Sequence, residues 1–374
     1  MRETKRTMKP LIMKDRNKTK TIKQMSAFHR LSSRVLGTLS KKTNVGALAL
    51  LLLASQGSAS IFSFSTGNPD GKIATLTRPA TATAIQTETA DDFVVAETTL
   101  INSATFTGLI PTNADPSSIQ QVEIEIYHVF PNDSDTNRVI TVPTRANSPG
   151  DVEIAPATRD SANGSLSFST AVVNGSFIAS NSVIVGIRPS TNQFTGGEGP
   201  VTGQEVTITV TFNPPISLTP DHYFFRPEVL LSGAGFLWLS APKPPAPPIF
   251  VGDLQSWIRN DNLAPDWLRI GTDITHQGPF NACFSLSGET DQDNDGVPDS
   301  VDQCPNTLPG SVVDSHGCSI DQLVPCDAPW KNHGQFVSTM AHVTKEFERE
   351  GLITQRQRSA LVSEAARSNC GRKK

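Results

Sequence analysis

Residues able to hold a hard cation stand at ligand spacing in the last quarter of the chain. Asp291, Asp293 and Asp295 occupy positions 1, 3 and 5 of a twelve-residue run, 291–302. Alternating residues in a tight turn aim all three carboxylates at one point. Gly296 at position 6 allows the sharp bend, and Val297 at position 7 offers its backbone carbonyl. Asp302 at position 12 closes the shell. These are hard oxygen ligands in the number calcium prefers, at the spacing of an EF-hand loop. The flanks differ from an EF-hand, because no helix precedes the run and position 12 is Asp rather than Glu. Magnesium suits it less well, since magnesium keeps several waters and this loop supplies nearly a full shell. The plainer account is a solvated acidic linker, but the alignment of five Asp with one Gly favours an ion site.

Other chemistry is sparse. The chain has no H-E-x-x-H, G-x-S-x-G or phosphate-binding loop. Asp91 and Asp92 are candidates for a second calcium or a catalytic carboxylate, against the plainer account of a polar start to a strand. Trp257 and Trp267 are candidates for a sugar-stacking platform, against that of buried anchors. Glu123 and Glu125 are expected on the wet face of a strand, and His128 on its buried face. Cys283 is expected as a free thiol with no base to activate it.

The elements that position these residues are mainly strands. Residues 121–126 and 205–212 alternate polar and apolar side chains, the mark of strands with one wet and one buried face. Further strands are expected at 99–109, 165–173, 182–188, 222–231, 235–239 and 282–286, with turns between them, one at Asn174-Gly175. Many short strands without helices imply an antiparallel β-sandwich or jelly-roll-like domain over 60–288. The five prolines of 241–248 read as an extended surface loop. Residues 253–274 read as a less regular cover over one end of the sandwich.

The calcium-binding segment is assigned to 289–320 and a small C-terminal helical hairpin to 321–374. Phe336, Met340, Val343 and Phe347 share one helix face. Thr354 and Gln357 have the spacing of a capping box that opens a second helix. The hairpin brings its ends together, so Cys326 and Cys370 are expected to form a disulfide.

Residues 1–43 carry thirteen Lys and Arg against Glu3 and Asp15. An apolar run and then Gly57-Ser58-Ala59 follow. That order is a secretory signal peptide, expected over 1–59, with Met25 as an alternative start. The apolar run is too short for a bilayer span, so no membrane span is expected after cleavage. The whole chain carries −4; without the leader, 19 bases and 34 acids remain, a net −15. Such a surface does not suit phosphate backbones, and nucleic acid is discounted as a partner. The expected address is outside the cytoplasm: secreted, periplasmic or on the outer cell surface. There the late cysteines meet oxidising conditions.

With these residues in view, 291–318, reading DQDNDGVPDSVDQCPNT and then DSHGC, resembles a thrombospondin type 3 repeat. The resemblance implies calcium binding by Asp291, Asp293, Asp295 and Asp302, with Asp299 assisting directly or through water. It also implies a bridge between Cys304 and Cys318. Only one convincing copy is present, so a shared multi-ion array is not carried over. The motifs ADDF, VEIEIYHVFPNDSD and PDHYFF resemble exported bacterial proteins of unknown function, which supplies no activity. The expectation is a secreted, non-enzymatic calcium-binding protein with an adhesion or matrix role toward an extracellular glycan or protein. A carbohydrate-binding module and a secreted hydrolase are the alternatives.

Overall fold

The computed structural model describes residues 61–188, 193–243 and 252–372. The expected leader and most of the proline-rich loop lie outside the described residues. The strands are β1 (Ile61–Ser65), β2 (Ile73–Thr77), β3 (Thr87–Val95), β4 (Thr99–Ile110), β5 (Ile119–His128), β6 (Arg159–Asp160), β7 (Leu166–Ala179) and β8 (Asn181–Val183). They continue with β9 (Val201–Leu218), β10 (Asp221–Leu231), β11 (Ala234–Ala241), β12 (Trp257–Asn260), β13 (Leu268–Arg269), β14 (Asn281–Ala282) and β15 (Phe284–Thr290).

The expected β-rich fold is present. One continuous sheet folds back on itself, antiparallel throughout except where β2 runs parallel to β8. One layer runs β12-β3-β10-β5-β6. The other runs β1-β15-β4-β9-β7. The hairpin strand β11 joins them, pairing with β10 at Leu230–Gly235 and with β4 at Leu109–Leu237. Alternation puts Phe93, Val122, Ile124, Ile126 and Phe225 inward from the first layer. Phe106, Ile208, Val210, Phe284 and Leu286 meet them from the second. Phe225 stacks on Phe284 with ring centroids 5.0 Å apart. Trp238 fills the centre, and its indole N–H donates to the Cys283 carbonyl at 2.8 Å. Truncating Trp238 to Ala would cost about 3–5 kcal/mol through the cavity left behind.

Several local expectations change. The expected turn at Asn174-Gly175 is absorbed into β7, which crosses it through two register shifts against β9. The strand expected over 182–188 shortens to β8. The cover at 253–274 contains β12, β13 and a π-helical turn, Ile270–Ile274. β3, expected only as a polar start to a strand, is a buried central strand. Glu125 is not on a wet face: the outer face of β5 is roofed by the segments holding Gly150 and Trp267, and Glu125 is buried.

Beyond β15 come α1 (Ile320–Leu323), α2 (His333–Arg349) and α3 (Gln355–Arg367). The Thr354–Gln357 capping box forms as expected, and a second, Ser319–Gln322, opens α1. Val324, Phe336, Met340 and Ala365 make a small apolar cluster beside the Cys326–Cys370 disulfide. So small a cluster needs such a staple. Among the described residues, no helix is long and apolar enough to cross a membrane.

Candidate metal centre

The loop grows directly out of β15. The strand ends at Thr290, and the next N–H, that of Asp291, donates to the Thr98 carbonyl in the β3–β4 turn at 3.0 Å. Asp291 is fully buried, at 0% exposure. Its carboxylate accepts the N–H groups of Asp295 at 3.2 Å and Gly296 at 3.0 Å, which curls the chain around it. Gly296 sits at φ +93°, a backbone that L side chains rarely adopt. The curl brings one ligand oxygen each from Asp291, Asp293 and Asp295 within 4.8 Å of one another.

The remaining expected ligands fall into different roles. Asp302 stands outside the group of three converging carboxylates but beside Asp295. A Cβ added at Gly317 would stand 2.1 Å from Asp302 Oδ1 and 3.1 Å from Asp295 Oδ2, so these two oxygens face a common point of backbone. The Cys304–Cys318 disulfide, implied by the resemblance, is formed and holds Gly317 there. Val297 donates its N–H to Asp295 Oδ1 at 2.8 Å. Asp299 braces the rim: its oxygens accept from Thr290 Oγ1 at 2.6 Å and from the Gln292 N–H at 2.8 Å.

The electrostatics favour a cation. Burial, together with the charges of Asp293, Asp291 and Asp302, pushes Asp295 up to about 6. Asp291 is raised as well, first by burial and further by Asp293. Asp295 Oδ2 is buried with no hydrogen-bond partner. An orphaned acceptor amid repelling carboxylates fits an ion site, and an all-oxygen donor set fits calcium rather than a softer metal.

Sequence reasoning missed the second tier of this centre. Asp293 Oδ2 accepts the N–H groups of Asn306 at 2.8 Å and Thr307 at 2.6 Å. Thirteen and fourteen residues separate these partners, so no local spacing signals them.

The other candidates do not assemble into a site. Asp91 and Asp92 are adjacent on β3, so their side chains leave opposite faces. Asp91 accepts from Ser256 Oγ and the Ala282 N–H. Asp92 accepts from the Leu254 N–H and pairs with His222 at 2.7 Å. Burial raises both, Asp91 most strongly. Trp257 and Trp267 are each 1% exposed, packed with Tyr127 and Phe224, and so form no platform for a sugar. Cys283 is a buried thiol donating to the Gly67 carbonyl, pushed up to about 11 by burial.

An unanticipated charged network underlies the roof of the first layer. Arg226 and Arg259 both hold Glu88, and Tyr127 links Arg259 to Glu125. Burial alone would raise Glu88, but the two guanidiniums overcome it and hold it at about 2. Glu123 lies directly between Asp160 and Glu228 across the sheet. Burial and the neighbouring Glu125 push it up to about 8.

Comparison with known proteins bears on the metal centre. Residues 281–308 match the thrombospondin type 3 repeat. A 54-residue segment is 51% identical to part of an alpha-agarase of Thalassotalea agarivorans. That segment is 14% of this chain, and this chain spans 3% of the relative's length.

Proposed function

We propose that this chain is an exported, non-enzymatic calcium-binding protein whose β-sandwich engages an extracellular partner. The observation that carries the reading is the convergence of Asp291, Asp293 and Asp295 around the orphaned Asp295 Oδ2. In this reading Asp302 and the Val297 carbonyl complete the shell. Calcium would supply charge neutralisation there and nothing catalytic. Two disulfides and a leader of secretory design support an oxidising, extracytoplasmic address. The buried and satisfied state of Asp91 argues against its use as a catalytic carboxylate. The segment shared with an alpha-agarase is too small a part of that protein to bring its activity here.

Calorimetric titration of the chelator-stripped protein tests the reading. One calcium per chain is expected, lost when Asp293→Ala and Asp295→Ala are combined. Absence of binding, or binding unchanged in the double variant, would remove the loop as the site.

A further inference from the structure

We propose that the metal centre is a joint, closed by the ion, and that Thr307 is the positioning residue that transmits closure to the helical hairpin. The inference rests on calcium binding by the loop.

The two halves of the centre belong to different parts of the molecule. Asp291 belongs to the sandwich: it adjoins β15, is fully buried, and is tied to the β3–β4 turn through Thr98. Ser217 at the end of β9 adds a hydrogen bond to Asn294 at 3.1 Å. Asp293 belongs to the other side, since its Oδ2 holds the N–H groups of Asn306 and Thr307. A cation that takes an oxygen from each therefore links the sandwich to the chain beyond Cys304.

Thr307 carries that link onward. It is 3% exposed. Its hydroxyl lies 2.8 Å from the Gly317 carbonyl, 2.9 Å from Gln322 Oε1 and 3.1 Å from the Cys304 carbonyl. Gln322 is the residue that closes the capping box of α1, and its Nε2 donates to the Cys304 carbonyl at 3.1 Å. From α1 the chain enters the cluster of Val324, Phe336, Met340 and Ala365. Asp293 thus reaches the first helix through one buried threonine. Without a cation, three carboxylates within 4.8 Å repel, which loads the hydrogen bonds at Asn306 and Thr307. The hairpin keeps its own cluster and disulfide, so the joint opens while the parts stay folded.

Hydrogen exchange on the full mature chain, with calcium or chelator, tests this beside calorimetry. In the wild type, calcium should slow exchange at 306–307 and 319–324 by about tenfold or more, the scale of one charge-assisted hydrogen bond. Thr307→Val keeps the N–H bond to Asp293 and removes the hydroxyl. At saturating calcium, with uptake by the same variant read in calorimetry, it should lose the protection that the ion confers on 319–324. Thr307→Ser should restore it. Unchanged sandwich exchange in each variant shows that the fold is intact. Calcium uptake without protection at 319–324 in the wild type would overturn the joint. Full protection in Thr307→Val would overturn the role of Thr307. Absence of uptake in calorimetry would overturn the calcium reading itself and this proposal with it.

Discussion

Two glycines in the metal centre allow backbone strain to be separated from collision. Gly296 lies at φ +93° with nothing within 4 Å of an added Cβ. Gly317 lies at φ +75°, but its added Cβ would stand 2.1 Å from Asp302 Oδ1. In Gly296→Ala only the left-handed backbone is at issue, at about 1–2 kcal/mol for an L side chain. A free loop can relax out of that conformation and a loaded one cannot, so the strain is set against binding. Calcium affinity should fall by about five- to thirtyfold, since 1.4 kcal/mol is a factor of ten. Gly317→Ala carries the same strain and also displaces Asp302 by about 1 Å, several times the ±0.2 Å tolerance of a ligand distance. A further loss of about tenfold or more is expected there. Calorimetric titration of both variants, with chelator-stripped wild type alongside, reads the difference. Equal affinities in the two variants would show that Asp302 and its neighbour do not reach the ion. Wild-type affinity in Gly296→Ala would refute the strain argument.

The remaining predictions concern the framework. Glu88, held at about 2, stabilises the fold above its unfolded value of about 4.5, and this share is lost as pH falls through 2. Glu88→Gln should therefore flatten the acid limb of stability measured by urea unfolding, while costing about 3–5 kcal/mol at neutral pH by leaving the buried Arg259 without a carboxylate; Arg226 keeps Glu125 and Glu228. Glu123 titrates in the opposite sense. Its raised value favours folding below pH 4.5, and stability is lost as pH rises toward 8, when Glu123 ionises in its half-buried place beside Glu125 and Glu228. Glu123→Gln should remove that alkaline decline; a decline that persists would place the titration elsewhere. Cys326 and Cys370 are 44 residues apart, so replacing both by Ser should destabilise the hairpin by about 4 kcal/mol on chain-entropy grounds. Helix circular dichroism should then show an earlier melting step, and an unchanged profile would argue that the apolar cluster suffices.

The acidic loop was legible because its converging carboxylates are close in sequence. Asp291, Asp293, Asp295 and Gly296 are set by a turn of six residues, and local spacing dictates their convergence. The hairpin was legible for the same reason: helix period, capping boxes and the return of the chain fix Cys326 near Cys370. The sandwich was legible as a class, through the alternation in β5 and β9. What escaped was whatever depends on long-range cover. Glu125 alternates as a wet residue should, but residues far downstream roof it and supply Arg259 as its counterion relay. Asp91 and Asp92 read as polar, yet β3 sits between β10 and β12 and must bury them. The Asn306–Thr307 contact with Asp293 has no local signature, since it requires the disulfide-bounded loop to fold back first.

The bulged course of β7 has a consequence for how molecules meet. Among the described residues β7 pairs with β9 alone, so its other side is an open row of backbone donors and acceptors about 45 Å long at ordinary strand rise. It also exposes Val172, Val173 and Ile178. A flat strand of that length and character would template pairing with a neighbour and start a fibril. The two register shifts around Asn174 break the row into short, differently twisted pieces that no straight partner can match. Straightening the strand by deleting the extra residues would leave the core untouched and make the protein prone to polymerise.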